Sequence, residues 1–518
     1  MKNTTKPLLV GIITLVIIFS SLFVYSRHES VFLAEPVKSL TLRVNLEDKK
    51  PLKKQLYGFN TEQMNAEYTY SDADYTTLAS KLQPKNLRFP GGAVANFYHW
   101  KISGFIENEL TSTNSSQLNN RNLGNYRRLV SRRNGKLSFD EFMELCENFG
   151  VKPVIALNLY TGSPSESADW VRYVKAKGYK VAGWELGNEL YLEAYRNKFP
   201  TVQAYIEVAK QHAAAMRAVD SNISVAAVTS TTGFHLNQRG AQADFEKSWN
   251  EQLAQENFFD SYVIHMYTFS RDRRSLSFDQ LRGLLFGSSD IAFKQSIEYH
   301  KKLFGNRELW VTEWNIADPS NKVANTQLHA MYCGNFFLSL LNYQEQVSLA
   351  NYHVLAGSGK GFSVFSPRTK EDIPGDSRSV ERACYPVFKL IGETLDKSDT
   401  GYLTTFKDNP KFSGILEFKN ELLESFKSMA VGKDNQHLFI LISNRTSNAS
   451  SLTIDLNGKP VSGMIQYRYV ANSDLAASNG GNDVIPGRQL NEITIRSWKG
   501  SANEFRIPGN SFGVIELL

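Results

Sequence analysis

The chain is short of cysteine. Its 518 residues include three, Cys146, Cys333 and Cys384, far apart and in helix-like stretches. An odd, unclustered set argues against a disulfide framework or a zinc site and leaves three buried thiols. No metal or cofactor is called for. Internal repeats of the solenoid kind are also absent. Long apolar runs are missing with one exception, Pro7–Tyr25, which follows Lys2 and Lys6. At about 1.5 Å per residue, this run nearly crosses a hydrocarbon core of roughly 30 Å. No small-x-small cleavage site directly follows it, and no cysteine follows for lipid attachment. Residues 1–30 are therefore read as a signal anchor forming an N-terminal membrane helix, with a cleaved signal peptide as the alternative. Either reading exports the rest of the chain, so that the main body is membrane-anchored outside the cytoplasm or released to the periplasm or extracellular space.

What remains has ordinary globular composition, with 42% hydrophobic and 21% charged residues. Aromatics reach 12%, which suits either a sugar-stacking cleft or an aromatic core. Between residues 51 and 395, strand-like and helix-like segments alternate. Eight apolar strands are expected at Leu56–Thr61, Asn86–Gly91, Pro153–Tyr160, Gly183–Glu189, Ser224–Ser230, Ser261–Thr268, Leu309–Trp314 and Ser348–Leu355. The helices are expected at Asp72–Leu82, Ser138–Phe149, Ser165–Lys177, Val202–Val219, Asp244–Glu256, Ala292–Phe304, Asn325–Tyr343 and Arg382–Leu395. In Val202–Val219, Ile206, Ala209, Ala213, Met216 and Val219 recur at spacings of three and four and give one buried face. Eight strand–helix repeats predict an α/β fold, a (β/α)8 TIM barrel.

From residue 396 to 518 the pattern changes to short alternating runs, His437–Ser443, Ser451–Leu456, Gly463–Tyr469 and Glu492–Arg496, separated by Asn, Gly and Ser clusters. This predicts a C-terminal antiparallel β-sandwich domain. An alternating strand within residues 37–50, Ser39–Asn45, is expected to join that sheet and make the domain discontinuous. Thr111–Asn122, rich in Ser and Asn, reads as a flexible loop.

Two barrel strands end in carboxylates, in Trp184-Glu185-Leu186-Gly187-Asn188-Glu189 and Leu309-Trp310-Val311-Thr312-Glu313-Trp314-Asn315. Barrel strands present reactive groups at their C-terminal ends. Two carboxyls there suit glycosidic bond cleavage, in which one holds a proton for the leaving oxygen and the other is ionised to attack or to activate water. A lone Glu in such a place reads equally well as a salt-bridged or capping residue; the pair favours catalysis by Glu189 and Glu313. Arg88, at an apolar strand end, needs a buried anion and is expected to pair with the attacking carboxylate and keep it ionised. Asn188 is placed to donate to a sugar hydroxyl. His265 and Tyr267 alternate onto one face beside Glu313, where a phenol can orient the nucleophile. Trp314 is included as a substrate-binding residue.

These residues resemble the clan A retaining glycoside hydrolases. In that clan an Asn-Glu pair on strand four supplies the acid/base and a Glu on strand seven is the nucleophile. The resemblance implies Glu189 as acid/base and Glu313 as nucleophile. Arg88-Phe89-Pro90-Gly91-Gly92 is similar to the Arg-x-Pro-Gly-Gly of the α-L-arabinofuranosidase family. Lys177-Gly178-Tyr179 leading into Trp184–Glu189 is similar to the heparanase and β-glucuronidase family, although Leu190 stands where that group usually has Pro.

The mild net charge of +6 is unevenly spread. Arg121, Arg127, Arg128, Arg132, Arg133 and Lys136 follow the second strand, and Arg271, Arg273 and Arg274 follow the sixth. Both groups are expected on the active-site face, where they either attract a uronate-bearing or sulfated glycan or form ordinary solvated surface. Nucleic acid is excluded as a partner, since a membrane-tethered barrel with paired carboxylates suits it poorly. The leading expectation is a retaining glycoside hydrolase acting on an extracytoplasmic poly- or oligosaccharide. The alternatives are a catalytically inactive glycan-binding protein and a structural envelope protein.

Overall fold

The computed structural model describes residues 39–63, 68–232, 234, 240–269, 275–317, 322–357, 362–369, 372, 377–433, 437–481 and 489–518. The apolar segment Pro7–Tyr25, the whole of 1–30, and Arg271, Arg273 and Arg274 lie outside the described residues. Among the described residues, no helix is long and apolar enough to cross a membrane.

Eight parallel strands close into a barrel: Gly58–Asn60, Asn86–Phe89, Val154–Ala156, Gly183–Glu185, Val225–Val228, Ser261–Phe269, Glu308–Ala317 and Val347–Tyr352. Each falls within or overlaps an expected strand. Their apolar runs are continuous because a parallel barrel strand is buried on both faces. The floor of the barrel is packed by Val154, Ala226, Val263, Trp310 and Leu349. Trp310 fills the space beside Gly183, where a Cβ would lie 2.1 Å from the indole.

All eight expected helices are present, shifted by a few residues at their ends. The Val202–Val219 helix buries Ile206, Ala209, Ala213 and Met216, as its spacing requires, with a Thr201 side chain capping Ala204 N. A ninth helix, Phe278–Gly287, is closed at its start by a Ser277/Gln280 capping box. The expected flexible loop at Thr111–Asn122 is a correction. The Ser115 side chain caps a helix over Ser116–Arg133, whose Asn122, Asn125 and Leu129 turn inward at spacings of three and four. Buried asparagines, rather than aliphatic residues, make much of that inner face, so a hydrophobic pattern does not reveal it.

The C-terminal part is one curled ten-stranded mixed sheet, not a purely antiparallel sandwich. Leu40–Pro51 is the reason. It joins the sheet as expected, antiparallel to Thr400–Lys407, but it runs parallel to Ser450–Leu456 on its other side. The expected strand at Glu492–Arg496 is instead the gap between Gln489–Asn491 and Arg496–Ser501. His437–Asn444 shows how the sheet is used. Leu438, Ile440 and Ile442 face the sheet's own core, while Phe439 and Leu441 join the core shared with the barrel. Gly334, in the helix Gln327–Asn342, lets the sheet approach: a Cβ there would sit 2.3 Å from the Phe512 ring.

Candidate active site

The site lies at the C-terminal ends of the barrel strands, and Arg88 is its hub. Its side chain is fully buried. Nε donates to both oxygens of Glu185 at 3.0 Å, and Nη2 donates to Glu185 Oε2 at 2.6 Å and to Asn188 Oδ1 at 2.9 Å. Nη1 donates to Asn60 Oδ1 at 3.0 Å, to Gly91 O at 3.2 Å and to Glu313 Oε1 at 2.7 Å. Burial alone would weaken its hold on the proton, but the charges of Glu185 and Glu313 outweigh that and raise its pKa. The expected Arg88–Glu313 pair is therefore present, though Glu185 is Arg88's more extensive partner. Sequence reasoning passed over Glu185 because it sits in an apolar motif whose Glu189 attracted the catalytic role.

Glu189 does not end a strand. The fourth strand stops at Glu185, and Glu189 lies on the following turn with a positive φ of 49°. Non-glycine residues in this region cost about 1–3 kcal/mol and persist where surrounding structure enforces them. Asn96 does so here. Its Oδ1 accepts from Asn188 N at 3.0 Å and its Nδ2 donates to Asn188 O at 2.8 Å. The Asn188 side-chain Nδ2 is buried and makes no hydrogen bond within the protein, so it remains a donor for another molecule.

Glu313 faces inward because of a β-bulge. Trp310 already points into the barrel, so strict alternation would put Glu313 outside and Trp314 inside. Between Val311 and Glu313 the pairing with the sixth strand shifts by one residue, bringing Glu313 opposite His265 and Asn315 opposite Tyr267. The bulged Thr312 carbonyl is caught by Asn60 Nδ2 at 2.8 Å. Trp314 consequently turns outward and stacks on Phe336 with ring centroids 4.5 Å apart. Its assignment to substrate binding is thus corrected: it belongs to the core beneath the helices.

The other expected residues converge on Glu313. Tyr267 Oη donates to Glu313 Oε2 at 2.5 Å. His265 Nδ1 lies 2.9 Å from Glu189 Oε1, its Nε2 meets the Thr312 hydroxyl at 3.2 Å, and Nδ1 is 3.8 Å from Glu313 Oε2. His353, not singled out in the sequence, places Nδ1 3.8 Å from Glu313 Oε2 and Nε2 3.3 Å from the buried Glu62. Burial opposes ionisation of Glu313, but His265, His353 and Arg88, with the Tyr267 hydroxyl, outweigh it and hold the carboxyl well below the usual range. Tyr267 shows the reverse: burial first, then the adjacent Glu313, pushes its phenol far up, so it stays a donor. Burial disfavours a charged His353 ring, yet Glu313 and Glu62 outweigh it and its pKa rises. Gly92 leaves room over this pocket, for a Cβ there would lie 3.0 Å from Glu313 Oε1. Glu62 and His353 follow no sequence signal; only the closed barrel brings strands one, two and eight together.

One oxygen each from Glu189 and Glu313 and one His265 nitrogen lie within 4.8 Å of one another. Among the described residues, this is the only group placed to share a cation. Its chemistry fits one poorly, because both Glu313 oxygens are already engaged, one by Arg88 and the other by Tyr267. Two carboxyls at this separation, one ionised and clamped and the other partly exposed on a buried turn, can act on opposite partners of a single bond. The six cations from Arg121 to Lys136 are carried on or just after the Ser116–Arg133 helix, which is tied to the loops after strands three and four.

No family model matches the chain. It is 25% identical over 168 residues to α-L-arabinofuranosidase C of Emericella nidulans, a match covering 29% of this chain and 31% of that protein. It is 33% identical over 92 residues to an intracellular exo-α-L-arabinofuranosidase of Bacteroides ovatus, covering 18% and 16%. The matched region thus spans less than a third of either curated relative. The structure is similar to that of the α-L-arabinofuranosidase of Thermotoga maritima in its arabinose complex, with a TM-score of 0.66 at 20% identity over 92% of this chain and 99% of that one. The fold, barrel and appended sheet together, is therefore similar to that of this α-L-arabinofuranosidase.

Proposed function

We propose that the protein is a retaining glycoside hydrolase that removes neutral furanosyl residues, foremost α-L-arabinofuranosyl, from a carbohydrate. The carrying observation is the Glu189–Glu313 pair, with oxygens within 4.8 Å. Retaining enzymes hold their carboxyls about 5–5.5 Å apart and inverting enzymes about 6.5–9.5 Å, so this spacing falls on the retaining side. Glu313, ionised and aimed by Arg88 and Tyr267, attacks the anomeric carbon. Glu189 protonates the departing oxygen, then deprotonates the water that releases the sugar. Asn188 Nδ2 offers a hydrogen bond to the sugar hydroxyl beside the reacting carbon, where it strengthens as charge develops. The relatives named above are arabinofuranosidases, which favours that sugar. The pocket's charge points the same way: a uronate carboxylate seated beside Glu313 would also meet Glu62.

Removing the nucleophile prevents the covalent intermediate from forming. Glu313→Ala should therefore be inactive on both aryl and natural arabinofuranosides. Glu189→Ala should retain glycosylation by a dinitrophenyl glycoside, whose leaving group needs little protonation, and azide should accelerate turnover. Equal losses on good and poor leaving groups, with no azide response, would remove Glu189 from the acid/base role. Binding without release of sugar by the unmodified protein would favour the inactive glycan-binding reading. We further propose an extracytoplasmic site of action, on the strength of the apolar run Pro7–Tyr25. The full chain should sediment with membranes and be cut by protease added outside spheroplasts; a soluble mature chain beginning near Ala34 would instead mark a cleaved signal.

A further inference from the structure

The Ser116–Arg133 helix is a second feature on the active-site face that hydrolysis of a small glycoside does not use. From Leu110 to Phe139 the chain contains no acidic residue and six cations: Arg121, Arg127, Arg128, Arg132, Arg133 and Lys136. On a helix of 3.6 residues per turn, positions 121, 128 and 132 fall within about 40° of one another, making a stripe roughly 16 Å long. Arg121, Arg127 and Arg128 are exposed. Arg128 contacts the Asn125 side chain, and no ion pair involves these three among the described residues. Arg121 and Arg128 thus share one helix face with no acidic side chain paired to either among the described residues.

The helix is fixed to the mouth of the site. Asn114 N donates to Ala194 O at 3.0 Å, just after Glu189 in the chain. Tyr160 Oη, from the loop after strand three, donates to Ser112 O at 2.8 Å. Tyr195 marks the proximity electrostatically. Burial raises its pKa, the charge of Glu189 adds to the rise, and Arg121 opposes it. The helix therefore starts near the turn that carries Glu189, and at its far end Arg133 donates to Tyr68 O in the segment after strand one. The pocket itself is lined by Glu62, Glu189 and Glu313 together with Arg88, His265 and His353, so both signs meet in the cavity while the approach carries only cations.

We propose that this stripe is a distal subsite for a polyanionic glycan, so that the substrate is a uronate-bearing polysaccharide with neutral furanosyl branches. The branch enters the pocket while carboxylates of the main chain lie along Arg121 and Arg128. This deepens the glycosidase reading and rests on it for the identity of the branch. Basic side chains along an approach path raise the local concentration of an anionic substrate and accelerate its capture, and the effect fades as salt rises.

The test compares a neutral aryl α-L-arabinofuranoside, an arabinosylated uronate-bearing polysaccharide, and the same polymer with its carboxyls reduced to alcohols. Expected is a kcat/KM on the acidic polymer roughly tenfold above that on the reduced one at low salt, the margin closing towards 0.5 M salt on the order of the screening length. Arg121→Glu with Arg128→Glu should abolish that margin and leave the aryl glycoside unaffected. Both positions are exposed, and an Arg121→Gln/Arg128→Gln protein guards against a folding loss. Affinity electrophoresis in gels cast with either polymer gives a readout independent of turnover. If the aryl glycoside is not cleaved but retardation by the acidic polymer depends on the arginines, the glycosidase reading fails and the subsite stands. Equal treatment of the two polymers, or a preference that survives the double substitution, would overturn the subsite. So would arginine-dependent binding to phosphatidylserine vesicles without binding to the acidic polymer.

Discussion

Tyr267 and Glu313 show how finely a single residue is used. A 2.5 Å hydrogen bond from the phenol to Oε2 favours the ionised carboxylate and fixes its second oxygen, while Arg88 holds the first. Tyr267→Phe removes the donor without changing the volume. Glu313 then loses one of the interactions that depress its pKa, so the acidic limb of kcat/KM should move to higher pH. Loss of orientation should lower kcat by roughly tenfold to a hundredfold. A pH–rate series checks both, and an unmoved acid limb would leave the phenol as packing. At this scale the sequence foretold which residues gather, Arg88, Asn188, Glu189, His265, Tyr267 and Glu313, although Asn188 and Glu189 sit on the turn after strand four and not at its end. It was misleading at Trp314, where one bulged residue reverses which side chain faces the barrel. It was silent on Glu62, Asn96 and His353, whose meaning depends on loops from distant strands meeting.

The barrel strands were legible as elements because burial on both faces leaves short unbroken apolar runs. The Ser116–Arg133 helix was not, since its inner face is built from Asn122 and Asn125 as much as from Leu129. The loops between them are held by polar contacts that no periodicity records. His99, in the segment after strand two, places Nε2 2.8 Å from Glu109 and Nδ1 3.1 Å from Glu166, at the start of the Pro164–Lys177 helix. Burial alone would lower the ring's pKa, but Glu166 and Glu109 reverse this and raise it to about 9. A raised histidine contributes its full stability below the unfolded value of about 6.5, and the contribution disappears as pH rises through about 9. The brace should therefore add roughly 1–3 kcal/mol at pH 6 that is absent by pH 10. Thermal unfolding across that window should show His99→Asn losing stability at pH 6 and converging with the unmodified protein at high pH. A constant difference between the two would show that the ring's shape, rather than its charge, holds the loops.

At the scale of the molecule, the barrel and the curled sheet meet over both apolar packing and a buried ionic cluster. Asp290 lies in a one-turn π-helix between Phe278–Gly287 and Phe293–Phe304, on the barrel side. Arg445 Nη1 and Nη2 reach it from the sheet at 2.5 and 3.0 Å, and Lys427 Nζ reaches it at 2.8 Å. Arg445 Nε also donates to Asn335 Oδ1 at 2.7 Å, and its guanidinium lies over Phe286. This joint was not readable in the sequence, because its members are spread over 155 residues between Asp290 and Arg445. Burial would raise the Asp290 pKa, yet Arg445 and Lys427 outweigh it and depress the carboxyl far below its ordinary value. A depressed carboxylate contributes stability above its unfolded pKa of about 3.9 and loses it as pH falls towards the folded value. Asp290→Asn leaves the buried Arg445 and the partly buried Lys427 without their anion, and removing one partner of a buried pair costs about 3–5 kcal/mol. Calorimetry at neutral pH should then show a lower transition, with the sheet melting before the barrel, and a difference from the unmodified protein that shrinks below pH 4. If the substituted protein kept a single transition at an unchanged temperature, the apolar contacts of Phe439, Leu441 and Phe512 would be sufficient to join the two parts without the ionic cluster.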